Sequence, residues 1–99
     1  MPFVKADIKQ EIEEMKKNDR DFAKAYNVIE EEYRLIEEAI NLRKNIGISQ
    51  CKVAEETGLT QQMVSRIEKV GNSPTLRNFL RYLDGIGLEI KIKKKASLG

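Results

Sequence analysis

The sequence predicts a mainly α-helical chain of five to six helices that ends in one short β-strand, and three observations carry this. Residues 50–69, QCKVAEETGLTQQMVSRIEK, read as two short amphipathic helices joined by a tight turn, a helix-turn-helix. Upstream, Phe22, Tyr26, Ile29, Tyr33, Ile36 and Ile40 recur by fours and threes, which marks one apolar stripe on a long helical segment. At the other end, Leu88-Glu89-Ile90-Lys91-Ile92-Lys93 alternates apolar and charged residues, the period of a half-buried strand.

In chain order, a first helix is expected from about Ala6 to Lys17, with Ile8, Ile12 and Met15 on one face. Asn18-Asp19-Arg20-Asp21 then reads as a stop and restart, with Asn18 or Asp19 as the N-cap of the next helix and Asp21 in its first turn. The striped segment follows, either as one helix or broken near Asn27, and ends at Gly47 as a left-handed C-cap. Ser49 caps the first motif helix, roughly Gln50 to Thr57, and Thr60 caps the second, which runs through QQMVSRIEKV. After the loop Gly71-Asn72-Ser73-Pro74, Thr75 caps a last helix from about Leu76 to Gly85 that buries Leu76, Phe79, Leu80 and Leu83. A lone strand cannot satisfy its own backbone, so Leu88, Ile90 and Ile92 are expected to pair with a second copy or a partner protein.

Within the motif, the positions that packing restricts carry suitable residues. Ala54 is small where the two helices approach, and Gly58 stands at the turn, where positive φ is easily reached only without a Cβ. Leu59, Val64 and Ile67 form the apolar wedge, with Val53 behind them. On the second helix, Met63, Val64, Ile67 and Val70 face inward while Gln61, Gln62, Ser65, Arg66 and Lys69 face outward. Any surface helix has a polar face, but this set matches base edges: glutamine pairs bidentately with adenine, arginine with guanine, and serine with either kind of edge. Gln61, Gln62, Ser65 and Arg66 are therefore the candidate base readers. Ser49, Gln50, Lys52, Lys69, Asn72, Thr75 and Arg77 are the candidate phosphate contacts, which position a domain without specifying sequence.

Composition narrows the function classes. The chain of 99 residues has room for one domain and an extension. Its net charge of +2 conceals a division: residues 1–40 hold seven Lys/Arg against eleven Asp/Glu, and residues 41–99 hold eleven against five. A basic half suits a polyanion, and an acidic half suits a basic partner or a solvated spacer. No histidine occurs anywhere, which removes His-based triads and Cys/His zinc clusters. No GxxxxGK[ST] loop is present, and Gly85-Ile86-Gly87 is too short to cradle a phosphate. The carboxylate runs Glu11/Glu13/Glu14 and Glu30/Glu31/Glu32 read as solvated helix faces. A non-enzyme without cofactor or metal is expected. No apolar run approaches the roughly 20 residues of a membrane span, and the N-terminus lacks a secretory pattern. The single Cys51 cannot form an internal disulfide; it reads as a small packing residue, and a reducing cytoplasm is the expected compartment.

IGISQCKVAEETGLTQQMVSRIEK followed by NSPTLRNFLRYLDGIGLEIKI resembles the XRE/Cro-type helix-turn-helix domain over roughly residues 36–92. The resemblance implies an ion pair between Arg43 and Glu68 that ties the preceding helix to the recognition helix. The chain departs from the family at Lys52, where a glutamate often completes a capping box with the Ser/Thr cap. That loss costs a few tenths of a kcal/mol up to ~1, and it sets a positive charge near a helix end that can approach phosphate.

DFAKAYNVIEEEYRLIEEAINLRKNIGISQ is similar to the region preceding the DNA-binding domain in HigA-type antitoxins of type II toxin–antitoxin systems. This implies operator DNA and a small basic RelE/HigB-like ribonuclease toxin as partners, with self-repression of the operon as a homodimer. Its half-sites would lie about one helical turn apart, roughly 34 Å. Residues 1–40 would then be an acidic extension bearing the toxin contact, residues 41–87 the DNA-binding domain, and residues 88–99 a strand with a basic tail. On the extension, Glu30, Glu31, Glu32, Glu37 and Glu38 are candidate toxin contacts, with Phe22 and Tyr26 as apolar anchors, although Tyr33 and Ile36 suit the chain's own core better. The alternatives are a stand-alone XRE-family repressor without a toxin partner and an adaptor that has lost DNA binding; the polar face at Gln61–Arg66 argues against the adaptor.

Overall fold

The computed structural model describes residues 6–96, so the first five residues of the acidic extension and the end of the basic tail lie outside it. Five helices form: α1 (Ala6–Asn18), α2 (Arg20–Ile46), α3 (Gln50–Thr57), α4 (Gln61–Ile67) and α5 (Leu76–Ile86). Each start from α2 onward carries a side-chain cap. Asp19, Ser49, Thr60 and Thr75 accept from the backbone N–H of Phe22, Lys52, Met63 and Asn78 respectively, so one orphan donor per helix end is satisfied. The serine cap of α3 holds without the glutamate of a capping box, and Lys52 instead pairs along its own helix with Glu56 at 3.1 Å and Glu55 at 3.8 Å.

The striped segment is a single helix, unbroken at Asn27. It does not bury its stripe in one core. Ile36 and Ala39 enter the core with Ile40 beside them, whereas Ile29 remains 47% exposed and Phe22 and Tyr26 are half-buried. The cause is geometric: a 27-residue helix is roughly 40 Å long, and the three short helices after it are too small to cover more than its C-terminal part. Its N-terminal part meets α1 instead, where Lys16 donates to Glu30 at 2.7 Å and lies over the Tyr26 ring at 4.6 Å. Phe22 and Tyr26 stack on each other with ring centroids 5.7 Å apart.

The core gathers Val53 from α3, Leu59 from the turn, Val64 and Ile67 from α4, and Phe79, Tyr82, Leu83 and Ile86 from α5 around the base of α2. On α5 the sequence-based face is rotated. Leu76 and Leu80 are 68% and 44% exposed, and Tyr82 is fully buried. Residues 79, 82, 83 and 86 share one side of the helix, which runs one residue past the expected end at Gly85 and is capped by Gly87. Helix α4 is also shorter than expected and ends at Ile67, so Lys69 and Val70 belong to the following turn. Cys51 is exposed, a free thiol on the surface and no packing residue.

Among the described residues there is no strand, so the sixth element expected at Leu88–Lys93 is absent. Leu88 closes α5 by donating its N–H to Leu83 at 2.9 Å and packs on the core, while Ile90 and Ile92 are exposed. A strand exists only through a paired neighbour, and one chain supplies none here.

Candidate nucleic-acid interface

Helices α3 and α4 meet at Gly58, whose φ of +75° is the left-handed conformation that lets the chain reverse within a few residues. Its N–H closes α3 on the Ala54 carbonyl at 3.1 Å. Arg81 reaches from α5 to the Thr57 carbonyl at 3.0 Å, satisfying another acceptor of the same helix end. Thr57 turns its hydroxyl back on Val53 at 2.8 Å and accepts from Leu59 N–H at 3.2 Å, so both sides of the turn are held. Val53 and Val64 are fully buried beneath it.

This packing presents the outer face of α4. Gln61, Gln62, Ser65 and Arg66 are all exposed, and no described side-chain partner occupies any of them. The candidate phosphate residues are less uniform. Ser49 and Thr75 are capping hydroxyls already bonded to backbone, and Gln50 is half-buried, donating to Glu68 at 2.8 Å. Asn72 holds the α4–α5 loop against the Arg66 carbonyl at 3.4 Å. Lys52, Lys69 and Arg77 stand exposed on the surface.

Behind α4 lies a buried polar cluster. Arg43 of α2 donates to both oxygens of Glu68, Nε at 2.5 Å and Nη2 at 2.9 Å, and its Nη1 donates to the Ile48 carbonyl at 2.8 Å. Tyr82 of α5 donates its hydroxyl to the same carboxylate. With Gln50 from α3, three helices converge on Glu68, the C-cap of α4. Burial pushes the Glu68 carboxyl up, but the hydrogen bonds from Arg43, Tyr82 and Gln50 outweigh it and hold the group below the ordinary carboxylate range. Burial and the adjacent carboxylate push the Tyr82 phenol well above its usual range. Folding therefore favours the charged Glu68. Its contribution is full above the ordinary value of 4.5 and is lost as pH falls through the lower folded value. As pH falls below about 4.5, the urea midpoint of the wild type is expected to drop more steeply than that of Glu68→Gln, and parallel slopes would contradict this.

The acidic side chains of α2 are engaged locally. Glu30 pairs with Lys16, Glu31 with Arg34, and Glu38 lies 3.6 Å from Arg34. Glu32 accepts from Ser73 at 2.7 Å, which moors the α4–α5 loop to α2. Glu37 is half-buried. Tyr82 and Arg81 were not marked by sequence reasoning. The phase of Phe79 and Leu83 points to position 82 as buried, but nothing local reveals that its hydroxyl reaches a residue 14 positions earlier.

The exposed polar face of a short second helix, held by a buried core and a tight turn, is the arrangement of a helix-turn-helix domain. The helix-turn-helix family model matches residues 40–92, more than half of the chain, and the chain belongs to that family, in its XRE-type form. It is 38% identical over 58 residues to an uncharacterized HTH-type transcriptional regulator of Haemophilus influenzae, covering 59% of each chain. It is 35% identical over 63 residues to antitoxin HigA1 of Mycobacterium tuberculosis, covering 64% of this chain and 42% of that protein. The chain thus spans between two fifths and three fifths of the length of these relatives. No solved structure gives a significant match.

Proposed function

We propose that this protein is an antitoxin that represses its own operon, reading operator DNA through the major groove with α4 and binding a small basic ribonuclease toxin through its acidic helical extension. The observation that carries the DNA half is the outer face of α4, where two glutamines, a serine and an arginine stand exposed and unengaged. A buried polar cluster anchors the C-terminal end of that helix, as base readout requires. The toxin half draws on the similarity to an antitoxin and on the excess of carboxylates in residues 1–40. Repression as a homodimer belongs to the same reading, with the exposed Ile90 and Ile92 as the pairing segment.

A second reading, a stand-alone regulator without a toxin, is favoured by the similarity to the Haemophilus influenzae protein. Purification of the tagged protein from its native host separates the two. A stoichiometric small basic protein able to cleave mRNA supports the antitoxin; a homodimer alone, with operator affinity, supports the plain regulator. For the DNA contact, Arg66→Ala is expected to weaken operator binding by about 1–3 kcal/mol and to relax specificity at one base. Lys52→Ala should weaken all sequences alike and flatten the salt dependence. Equal losses on operator and random DNA for Arg66→Ala, by fluorescence anisotropy, would refute the division of roles.

A further inference from the structure

The loop between α4 and α5 is held by α2, from outside the helix-turn-helix. It follows α4 directly, and four of the seven candidate phosphate residues, Lys69, Asn72, Thr75 and Arg77, lie in it or at its far end. Its own hydrogen bonds are short-range turns. Lys69 N–H donates to the Arg66 carbonyl and Asn72 N–H to the Lys69 carbonyl, both at 3.2 Å, and the Asn72 amide reaches the Arg66 carbonyl at 3.4 Å. Bonds of this kind join near neighbours in sequence and do not fix the loop against the rest of the domain.

The backbone of the loop also needs support. Gly71 has a φ of +101°, and Ser73, at +47°, is the only non-glycine residue with positive φ among the described residues. A residue with a Cβ keeps that conformation when its surroundings impose it. Two residues of α2 supply the surroundings. Ser73 donates its hydroxyl to the Glu32 carboxylate at 2.7 Å, across 41 positions of sequence. Beside it, Tyr33 brings its hydroxyl up to Gly71, where an added Cβ would stand 3.7 Å away. Glu32 and Tyr33 are both half-buried, and both precede the segment, residues 40–92, that the family model matches. By its charge, a carboxylate beside a phosphate-binding loop repels a polyanion. As a tether for the same loop it has the opposite effect, because a loop already in its bound form loses little freedom on binding. The two roles therefore differ in sign.

We propose that Glu32, with Tyr33 beside it, is a positioning residue of the DNA interface: through Ser73 it holds the α4–α5 loop in the form that meets phosphate. The proposal rests on the reading of α4 and the loop after it as the surface that contacts DNA. It makes one carboxylate of the acidic extension part of that surface, a role that neither helical phase nor charge assigns to it.

The test measures the affinity of the full-length protein, by fluorescence anisotropy, for two DNA duplexes. One is selected by the wild type from a random-sequence library, and the other has the same composition in scrambled order. Wild type is compared with Glu32→Ala, Glu32→Gln, Ser73→Ala and the double variant Glu32→Ala/Ser73→Ala. Circular dichroism checks that each is folded under the binding conditions, where a contact that served stability alone would leave affinity unchanged. Glu32→Ala and Ser73→Ala are each expected to weaken binding to both duplexes by about three- to tenfold. The double variant should be no weaker than the single ones, because all three lose the same tether. Glu32→Gln keeps an acceptor for the Ser73 hydroxyl and sheds the charge, so it should bind within about twofold of wild type or more tightly. Unchanged or tighter binding by Glu32→Ala would show the carboxylate acting by charge alone and would overturn the proposal. Additive losses in the double variant, or a loss in Glu32→Gln equal to that in Glu32→Ala, would overturn it as well. A loss confined to the selected duplex would move the effect to base readout and overturn the phosphate role. Failure of the wild type to select any duplex would overturn the DNA-binding reading itself, a result obtained before any variant is tested.

Discussion

Glu68→Ala is expected to destabilise the protein by about 3–5 kcal/mol, because it leaves a buried guanidinium without its counter-charge. The Arg43 and Glu68 side chains are only 9% and 7% exposed, so water cannot replace the lost partner. The same substitution removes the acceptor of the Tyr82 hydroxyl and of the Gln50 amide, two further groups withdrawn from solvent. Arg43→Ala should cost a similar amount, since it strands the carboxylate and frees the Ile48 carbonyl. The cluster is nevertheless a weak source of net stability, because taking two charges out of water costs nearly what their attraction returns. Replacing both by apolar residues of similar volume, Arg43→Met with Glu68→Leu, is therefore expected to cost much less than the two single changes added together. Urea denaturation of the wild type, Arg43→Met, Glu68→Leu and the double variant forms the double-mutant cycle. Additive losses would mean that the ion pair does not act as a unit.

The location of this cluster explains its form. Glu68 follows the last residue of α4, and its four donors come from α2, α3 and α5. A hydrophobic contact there would hold α4 equally firmly but would tolerate sliding and rotation. Four directional hydrogen bonds from three helices to one carboxylate fix both, which suits a helix whose outer face must meet base edges in register.

The legible part of the fold is what neighbouring residues decide. Asp19, Ser49, Thr60 and Thr75 advertise helix starts through side-chain chemistry, and Gly47 and Gly58 advertise ends, so the sequence locates α2 through α5 closely. Val53, Leu59, Val64 and Ile67 follow from the phase of two short helices. The illegible part depends on distant contacts. Period alone assigns Ile29 to the same stripe as Ile36, but only the size of the domain decides that one is exposed and the other buried. Leu76 and Leu80 look like core because leucine is usually buried; they are exposed because Phe79, Tyr82, Leu83 and Ile86 already fill the inward face of α5. The alternation at Leu88–Lys93 is a true strand pattern, yet pairing needs a neighbour which the single chain does not provide. For the candidate DNA face, the outward set on α4 is read directly from helical phase, whereas the convergence of Gln50 and Tyr82 on Glu68 joins residues 18 and 14 positions apart and has no local signal.

Gly85→Ala is expected to destabilise the protein by about 1–3 kcal/mol, against the ordinary preference of a helix for alanine. Gly85 lies inside α5, where glycine costs up to about 1 kcal/mol relative to alanine and so needs a reason. The reason is α3: a Cβ on Gly85 would stand 2.3 Å from the Thr57 methyl group, well inside van der Waals contact. Thr57 cannot swing aside cheaply, because its hydroxyl bonds back to Val53 and accepts from Leu59. The conflict therefore resides in one methyl group. Thr57→Ser deletes that methyl and keeps the hydroxyl, and the other contacts of the new Cβ, Val53 Cγ1 and the Val53 carbonyl at 3.5 Å, are ordinary ones. In the Thr57→Ser background, Gly85→Ala is expected to become stabilising, by up to about 1 kcal/mol, as the helix propensity is recovered without the clash. A reversal of sign between the two backgrounds, measured by urea denaturation, would trace the approach of α3 and α5 to this pair. The same loss in both backgrounds would show that the Val53 backbone, and not the Thr57 methyl, excludes a side chain from position 85.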